Sequence, residues 1–113
     1  MTNINKKVAI QFIKGKDETD QPEIRLFRNI DGKKGQVIYK FYKPSTITFE
    51  NFKLIQKMYL IDCEGEISTK KIDLTISQDH VKEVKSTYNW NSEKEFQRFM
   101  RFALRHANSL SHN

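Results

Sequence analysis

A chain of 113 residues, 37% hydrophobic and 30% charged, is long enough for one domain with its own core, and none of its apolar runs is long enough to span a bilayer as a helix. Twenty Lys and Arg against fourteen Asp and Glu leave a net charge of +6, but fifteen of those bases are lysines scattered from Lys6 to Lys94, which excludes a polybasic arm and favours an acidic or membrane-adjacent partner. The single Cys63 excludes an intramolecular disulfide, and the start MTNINKKVAIQFI has neither a signal-peptide core nor transit character, so the chain is expected to work in the compartment where it is made.

In chain order, VAIQFI (8–13), EIRLFR (23–28) and QVIYKFYK (36–43) are rich in β-branched and aromatic residues and bounded by turn formers, so they read as strands. The polar KGKDETDQP joins the first two. The NIDGKKG segment, with its Asp-Gly step, predicts a hairpin between the second and third, and the three are expected to form a meander. STITFENFKLIQ has mixed periodicity and is left unassigned. KMYLID, ISTKKIDLTI and VKEVKSTYNW, separated by the turns CEGE and SQDH, read as a second antiparallel meander.

The last element is helical. Ser92 with Glu95 three residues on forms a capping box, so the helix is expected to start near Glu93. Phe96, Phe99, Met100, Ala103, Ala107 and Leu110 gather on one side, with Lys94, Arg98, Arg101 and Arg105 opposite. Phe102 falls off this stripe beside the arginines. Six strands and this helix predict a single α+β domain over residues 1–113, with the helix packed on one face of antiparallel sheet. Apolar side chains occupy both faces of the third strand, Tyr39 and Phe41 one way, Ile38 and Tyr42 the other; one helix cannot cover both, so a second sheet layer, loops or a partner must.

No constellation of residues carries chemistry. Cys63 sits in a turn and shares no motif with His80, His106 or His112, and His80 with Glu83 lacks the further ligands a metal needs. Glu64 and Glu66 flank Gly65 and read as charges that keep a turn solvated. GKKG (32–35) has the spacing of an RNA-clamping Gly-x-x-Gly loop but joins strands where that loop joins helices, and KGKDET lacks the Gly-Lys-Ser/Thr of a phosphate loop. No catalytic, cofactor or metal residue is assigned, and nucleic-acid binding is not expected.

Four segments together, EIRLFRNIDGKKG, QVIYKFYKP, MYLIDCEGEISTK and EFQRFMRFALRH, resemble in order and spacing the thirteen-kilodalton photosystem II assembly proteins, also called reaction-centre W proteins, the Psb family numbered twenty-eight. The resemblance runs from about Val8 to Ala107. Lys57, Phe96 and His106 depart from it, standing where the family tends to have a small residue, Trp and Tyr. It implies a non-catalytic α+β domain without cofactor, a monomer or weak dimer. Such a protein binds transiently to the stromal or cytosolic face of immature photosystem II, peripheral to the thylakoid, near the forty-seven-kilodalton core antenna and reaction-centre loops. A stable peripheral subunit, or a factor linked to chlorophyll supply, is the alternative, and a small nucleic-acid-binding module, for which only the charge and GKKG speak, is a less favoured reading. Heavy use of Lys, Ile and Asn suits an AT-rich plastid genome, with a cyanobacterial origin the other choice. Two docking surfaces are open to such a domain: a free sheet edge that accepts a partner strand, or the helix back with Arg98, Arg101, Phe102 and Arg105.

Overall fold

The computed structural model describes residues 7–110, and His112 lies outside them. Eight strands and one helix follow in the order β1 (Ala9–Ile13), β2 (Lys16–Asp17), β3 (Glu23–Arg28), β4 (Gly35–Tyr42), β5 (Met58–Asp62), β6 (Gly65–Thr69), β7 (Lys71–Ser77), β8 (His80–Trp90) and α1 (Glu93–Leu110). The unassigned segment contributes a 3-10 turn at Phe52–Leu54. The α+β class stands, but the two meanders do not.

The strands form two antiparallel sheets, ordered β2-β1-β5-β6 and β3-β4-β8-β7. β1 therefore does not pair with β3; it crosses to β5, with Ile10 opposite Leu60. ISTKKIDLTI is not one strand either. It breaks at Lys70, so that β6 completes the first sheet and β7 the second, and Thr69 Oγ1 donates to the Thr87 carbonyl at 2.5 Å across the corner. The β1–β2, β3–β4, β5–β6 and β7–β8 hairpins join sequence neighbours, whereas β1–β5 and β4–β8 join distant strands. Alternation alone identifies strands; it does not say where a continuous run changes sheets.

Both sheets and the helix share one core. Ile10 and Phe12 of β1, Met58 and Leu60 of β5, Val37, Tyr39 and Phe41 of β4, and Val84 and Trp90 of β8 meet Phe96, Phe99 and Phe102 of α1. Phe12 meets Phe41 edge-on across the sheets at 5.1 Å between centroids. Phe99 stacks on Trp90 at 5.7 Å and meets Tyr39 edge-on at 6.5 Å, which fixes the helix on the second sheet. The second sheet thus has its Tyr39/Phe41 face covered by the first sheet and the helix together, while the Ile38/Tyr42 face carries no layer; Tyr42 is 56% exposed.

Gly35 is required by close approach: a Cβ there would stand 2.3 Å from the Phe27 carbonyl oxygen and 2.6 Å from the Trp90 ring. A second fixed point is buried Glu18, whose carboxylate accepts from the hydroxyls of Ser45 and Thr46 and ties the β1–β2 hairpin to the loop after β4.

The capping box forms, with Glu95 N–H donating to Ser92 Oγ at 3.1 Å and Asn91 N–H to Glu95 Oε1 at 2.7 Å, and α1 begins at Glu93 as expected. The buried face is rotated from the expected stripe. Phe102 is fully buried, not exposed beside the arginines, whereas Ala107 and Leu110 are exposed. Phe96, Phe99 and Phe102, three residues apart, step about 60° round the helix each time and carry the buried face toward the arginine side. Phe99→Ala and Phe102→Ala should therefore each cost about 3–5 kcal/mol in denaturant melts, from lost burial and the cavity left behind; a small loss at Phe102 alone would restore the original stripe.

Candidate docking surfaces on the helix and the sheet edge

The inward alternation of β5 runs Met58, Leu60, Asp62, so the third residue delivers a carboxylate to the core boundary at the end of the strand. Two residues later, past Cys63, Glu64 projects from the turn that Gly65 closes with φ +119, a conformation open to glycine. Facing them, Arg98, Arg101 and Arg105 stand at i, i+3 and i+7 on α1, on one side of the helix. Five side chains converge there.

Arg98 grips Asp62 with two parallel bonds, Nη1 to Oδ2 at 2.9 Å and Nη2 to Oδ1 at 2.7 Å, and the Asp62 side chain has no exposed surface. Arg101 grips Glu64 in the same way, at 2.7 and 2.9 Å. Arg105 bridges the two carboxylates through Nη1, 2.9 Å from Asp62 and 2.6 Å from Glu64. Asp62 also accepts the Glu64 N–H at 2.9 Å. Burial pushes the Asp62 carboxyl up, but the bonds from Arg98, Glu64 N–H and Arg105 outweigh it and hold it below the usual carboxylate range. Arg101 and Arg105 lower Glu64 to about 2.

The expected solvated basic back is thus corrected. Arg98, Arg101 and Arg105 are joined to the β5–β6 turn, and Glu64 is engaged by them, not simply wetting the turn. Glu66 likewise pairs with Lys14 at 2.6 Å. Phe102 lies beneath the network in the core and offers no surface to a partner. Arg101 retains the most solvent contact of the three, with 48% of its side chain exposed.

The edge strand β3 is the opposite case, since every residue from Glu23 to Arg28 is exposed. The Asn29 N–H donates to the Lys34 carbonyl at 2.8 Å beside the hairpin turn. Antiparallel alternation then turns the main-chain groups of Arg25 and Phe27 toward β4 and those of Ile24 and Leu26 outward. The side chains of Ile24 and Leu26 lie on the inner face and, with Met100, Ala103, His106 and Leu110 of α1, line a largely apolar groove of about 230 Å³. Burial lowers His106, whose ring stacks on Phe102 at 5.5 Å. An open row of backbone donors and acceptors beside an apolar groove is the geometry that accepts an added strand.

Among the described residues, the remaining candidates stand apart from one another. Cys63 is exposed in its turn, and GKKG closes the β3–β4 hairpin. Among the described residues no group of three or more His, Cys, Asp or Glu is placed to hold a metal, and no helix is long and apolar enough to cross a membrane. Sequence reasoning identified the arginines but missed their partners; the signal was Asp-x-Glu in a hairpin turn facing three arginines on one helical side.

The carboxylates dictate a pH response. Because the folded values of Asp62 and Glu64 are depressed, their contribution is complete above the ordinary carboxylate range and is lost as pH falls below it, for Glu64 toward about 2. Thermal melts from pH 7 to pH 2 should show that acid loss. Asp62→Asn, which leaves Arg98 and Arg105 facing a neutral group, should destabilise by about 3–5 kcal/mol at neutral pH and flatten the acid limb.

A profile of the family described as Psb28 protein matches residues 10–112. A Prochlorococcus marinus (strain NATL2A) protein called photosystem II reaction center Psb28 protein is 74% identical over 113 residues, covering all of both chains. Proteins of the same name from Prochlorococcus marinus (strain MIT 9211) and Synechococcus sp. (strain CC9311) are 44% and 39% identical, covering 88% and 91% of this chain and 85% and 80% of their own.

Proposed function

Since the chain belongs to the Psb28 family, we propose that it is a non-catalytic, photosystem II-associated factor that docks on the immature complex and leaves before maturation. The observation that carries this reading is the full-length similarity to proteins named for the photosystem II reaction center. The geometry supports docking rather than catalysis, since the most open feature is a strand edge beside an apolar groove.

The resemblance in sequence directs this docking to the forty-seven-kilodalton core antenna and nearby reaction-centre loops. The named relatives are cyanobacterial, which favours the cytoplasmic side of a cyanobacterial thylakoid over a plastid, and the Lys, Ile and Asn usage suits any AT-rich genome. Residues 1–113 act as one docking unit, a monomer or weak dimer when free.

Of the two docking surfaces, we favour β3. The helix arginines are spent on Asp62 and Glu64, and recruiting them would break a partly buried network, whereas the Ile24 and Leu26 backbone is open without rearrangement. A partner segment added antiparallel or parallel to β3 would gain main-chain hydrogen bonds and place alternate side chains in the groove.

Two measurements test this. A tag on this chain should recover immature photosystem II and not the mature complex; recovery of mature complex would make it a stable subunit instead. Leu26→Pro removes an outward N–H while leaving the β3–β4 ladder bonds in place, so it should abolish co-purification, whereas Leu26→Ala should weaken it less. Retention of the complex by a folded Leu26→Pro variant would remove the edge from consideration.

A further inference from the structure

The uncovered face of the second sheet has a pattern that neither the core nor the strand edge explains. Arg25 and Phe27 of β3, Ile38 and Lys40 of β4, and Lys85 of β8 point away from both packed layers. The ladder sets Lys40 directly opposite Lys85, and like charges in that position repel. Neither lysine forms an ion pair among the described residues. Glu23, across from Lys40, is engaged by Tyr42 Oη at 2.9 Å and Arg25 at 3.2 Å, and Asp73 lies opposite Lys85 on β7. Glu23, Arg25, Lys40 and Lys85 enclose an open cup of about 220 Å³ with Phe27 and Ile38 in its lining.

The same face runs out into the β3–β4 tip. Ile30 is there at 107% relative exposure, beyond even an extended reference residue, and Phe27 is 49% exposed. Lys33 and Lys34 follow in the tip, both exposed. The tip is braced rather than frayed. Gly32 N–H donates to the Asn29 carbonyl at 2.9 Å, and Lys33 N–H to the Asp31 carboxylate at 2.9 Å. Arg28 donates to the Gly32 carbonyl and to Glu93, and lies over the Phe96 ring at 3.8 Å. The hairpin holds an aliphatic side chain outward on a fixed mount.

We propose that this outer hairpin face and its Ile30 tip form a contact site for an anionic lipid bilayer. Ile30 and Phe27 enter the boundary between headgroups and acyl chains, and Arg25, Lys33, Lys34, Lys40 and Lys85 meet the anionic headgroups. A bilayer fits better than an acidic peptide, because Ile30 protrudes beyond the cup instead of lining it, and an apolar prong with Lys33 and Lys34 beside it and further cations along the same face matches an interface that is apolar beneath and anionic above. The net charge of +6 adds attraction over the whole molecule. The contact is weak and salt-reversible, and it leaves the β3 edge free for a protein partner.

The isolated chain should co-sediment with phosphatidylcholine vesicles that contain phosphatidylglycerol, not with phosphatidylcholine alone, and should be released by salt. Lys33→Glu with Lys34→Glu should lower partitioning by about twentyfold or more, at about fivefold per lysine charge near the surface. Ile30→Ser should lower it roughly five- to tenfold through lost apolar contact. Lys53→Glu, an exposed change in the turn after β4, should matter far less, and circular dichroism checks that every variant folds. Leu26→Pro should keep vesicle binding even where it loses photosystem II, so the two readings fail separately. Absence of binding, equal binding to both vesicle types, or indifference to the Ile30 and Lys33/Lys34 changes would overturn the proposal. So would saturation of Lys40 and Lys85 by inorganic phosphate, or competition for them by polyglutamate, without vesicle binding.

Discussion

The buried carboxylate of Asp62 is the constraint on which the helix placement rests. A carboxylate with no exposed surface is tolerable only if its charge is met, and Arg98 and Arg105 meet it from a single side of α1. Once those bonds form, the rotation of the helix is fixed. That rotation drives Phe102 into the core and leaves Ala107 and Leu110 toward the outside. The apolar groove beside β3 follows from the same rotation, because Met100 and Ala103 lie at the margin of the buried face instead of its middle.

The aromatic stack settles the other coordinate of the helix. Trp90, Phe96 and Phe99 lie together where β8 hands the chain to α1, with only Asn91 and Ser92 between strand and helix. Gly35 leaves room for the Trp90 ring on the neighbouring strand. Charge at the β5–β6 turn and ring packing at the β8 end thus hold the helix at two separate points, one from each sheet. The candidate docking surfaces are what these two attachments leave uncovered.

The local pattern was legible in the sequence wherever neighbours in the chain are neighbours in space. The β3–β4 hairpin, the Ser92–Glu95 cap and the helix start all follow from short-range chemistry, and all are present. The apolar residues of QVIYKFYK called for cover on both faces, but the first sheet and the helix share the Tyr39/Phe41 side and leave Ile38 and Tyr42 uncovered. What escaped was long-range. Nothing between residues 67 and 76 marks Lys70 as the point where the chain leaves one sheet for the other, because both halves alternate well. Phe102 was misplaced because a helical wheel counts apolar residues and treats arginine as solvent-facing; it cannot see a carboxylate 36 residues earlier in the chain. Asp62 itself reads as a polar end to MYLID until its partners are known.

The crossing of β1 to β5 has a consequence for how the molecule acquires its shape. Joining Ile10 to Leu60 closes a loop that contains the whole β3–β4 hairpin, and such closure forfeits chain entropy before it gains any contact. The hairpins β3–β4 and β7–β8 need only short turns. They are available as early nuclei, on the microsecond scale of about 1–10 μs typical of isolated hairpins. The second sheet, joining them through β4 and β8, and the first sheet are both late events set by topology. On a ribosome, β1 must wait for β5 to emerge, and the helix that seals both sheets is made after every strand. The interval before closure leaves Ile10, Phe12, Tyr39 and Phe41 uncovered, so the order of synthesis makes this small domain slowest to protect the part of itself most inclined to aggregate.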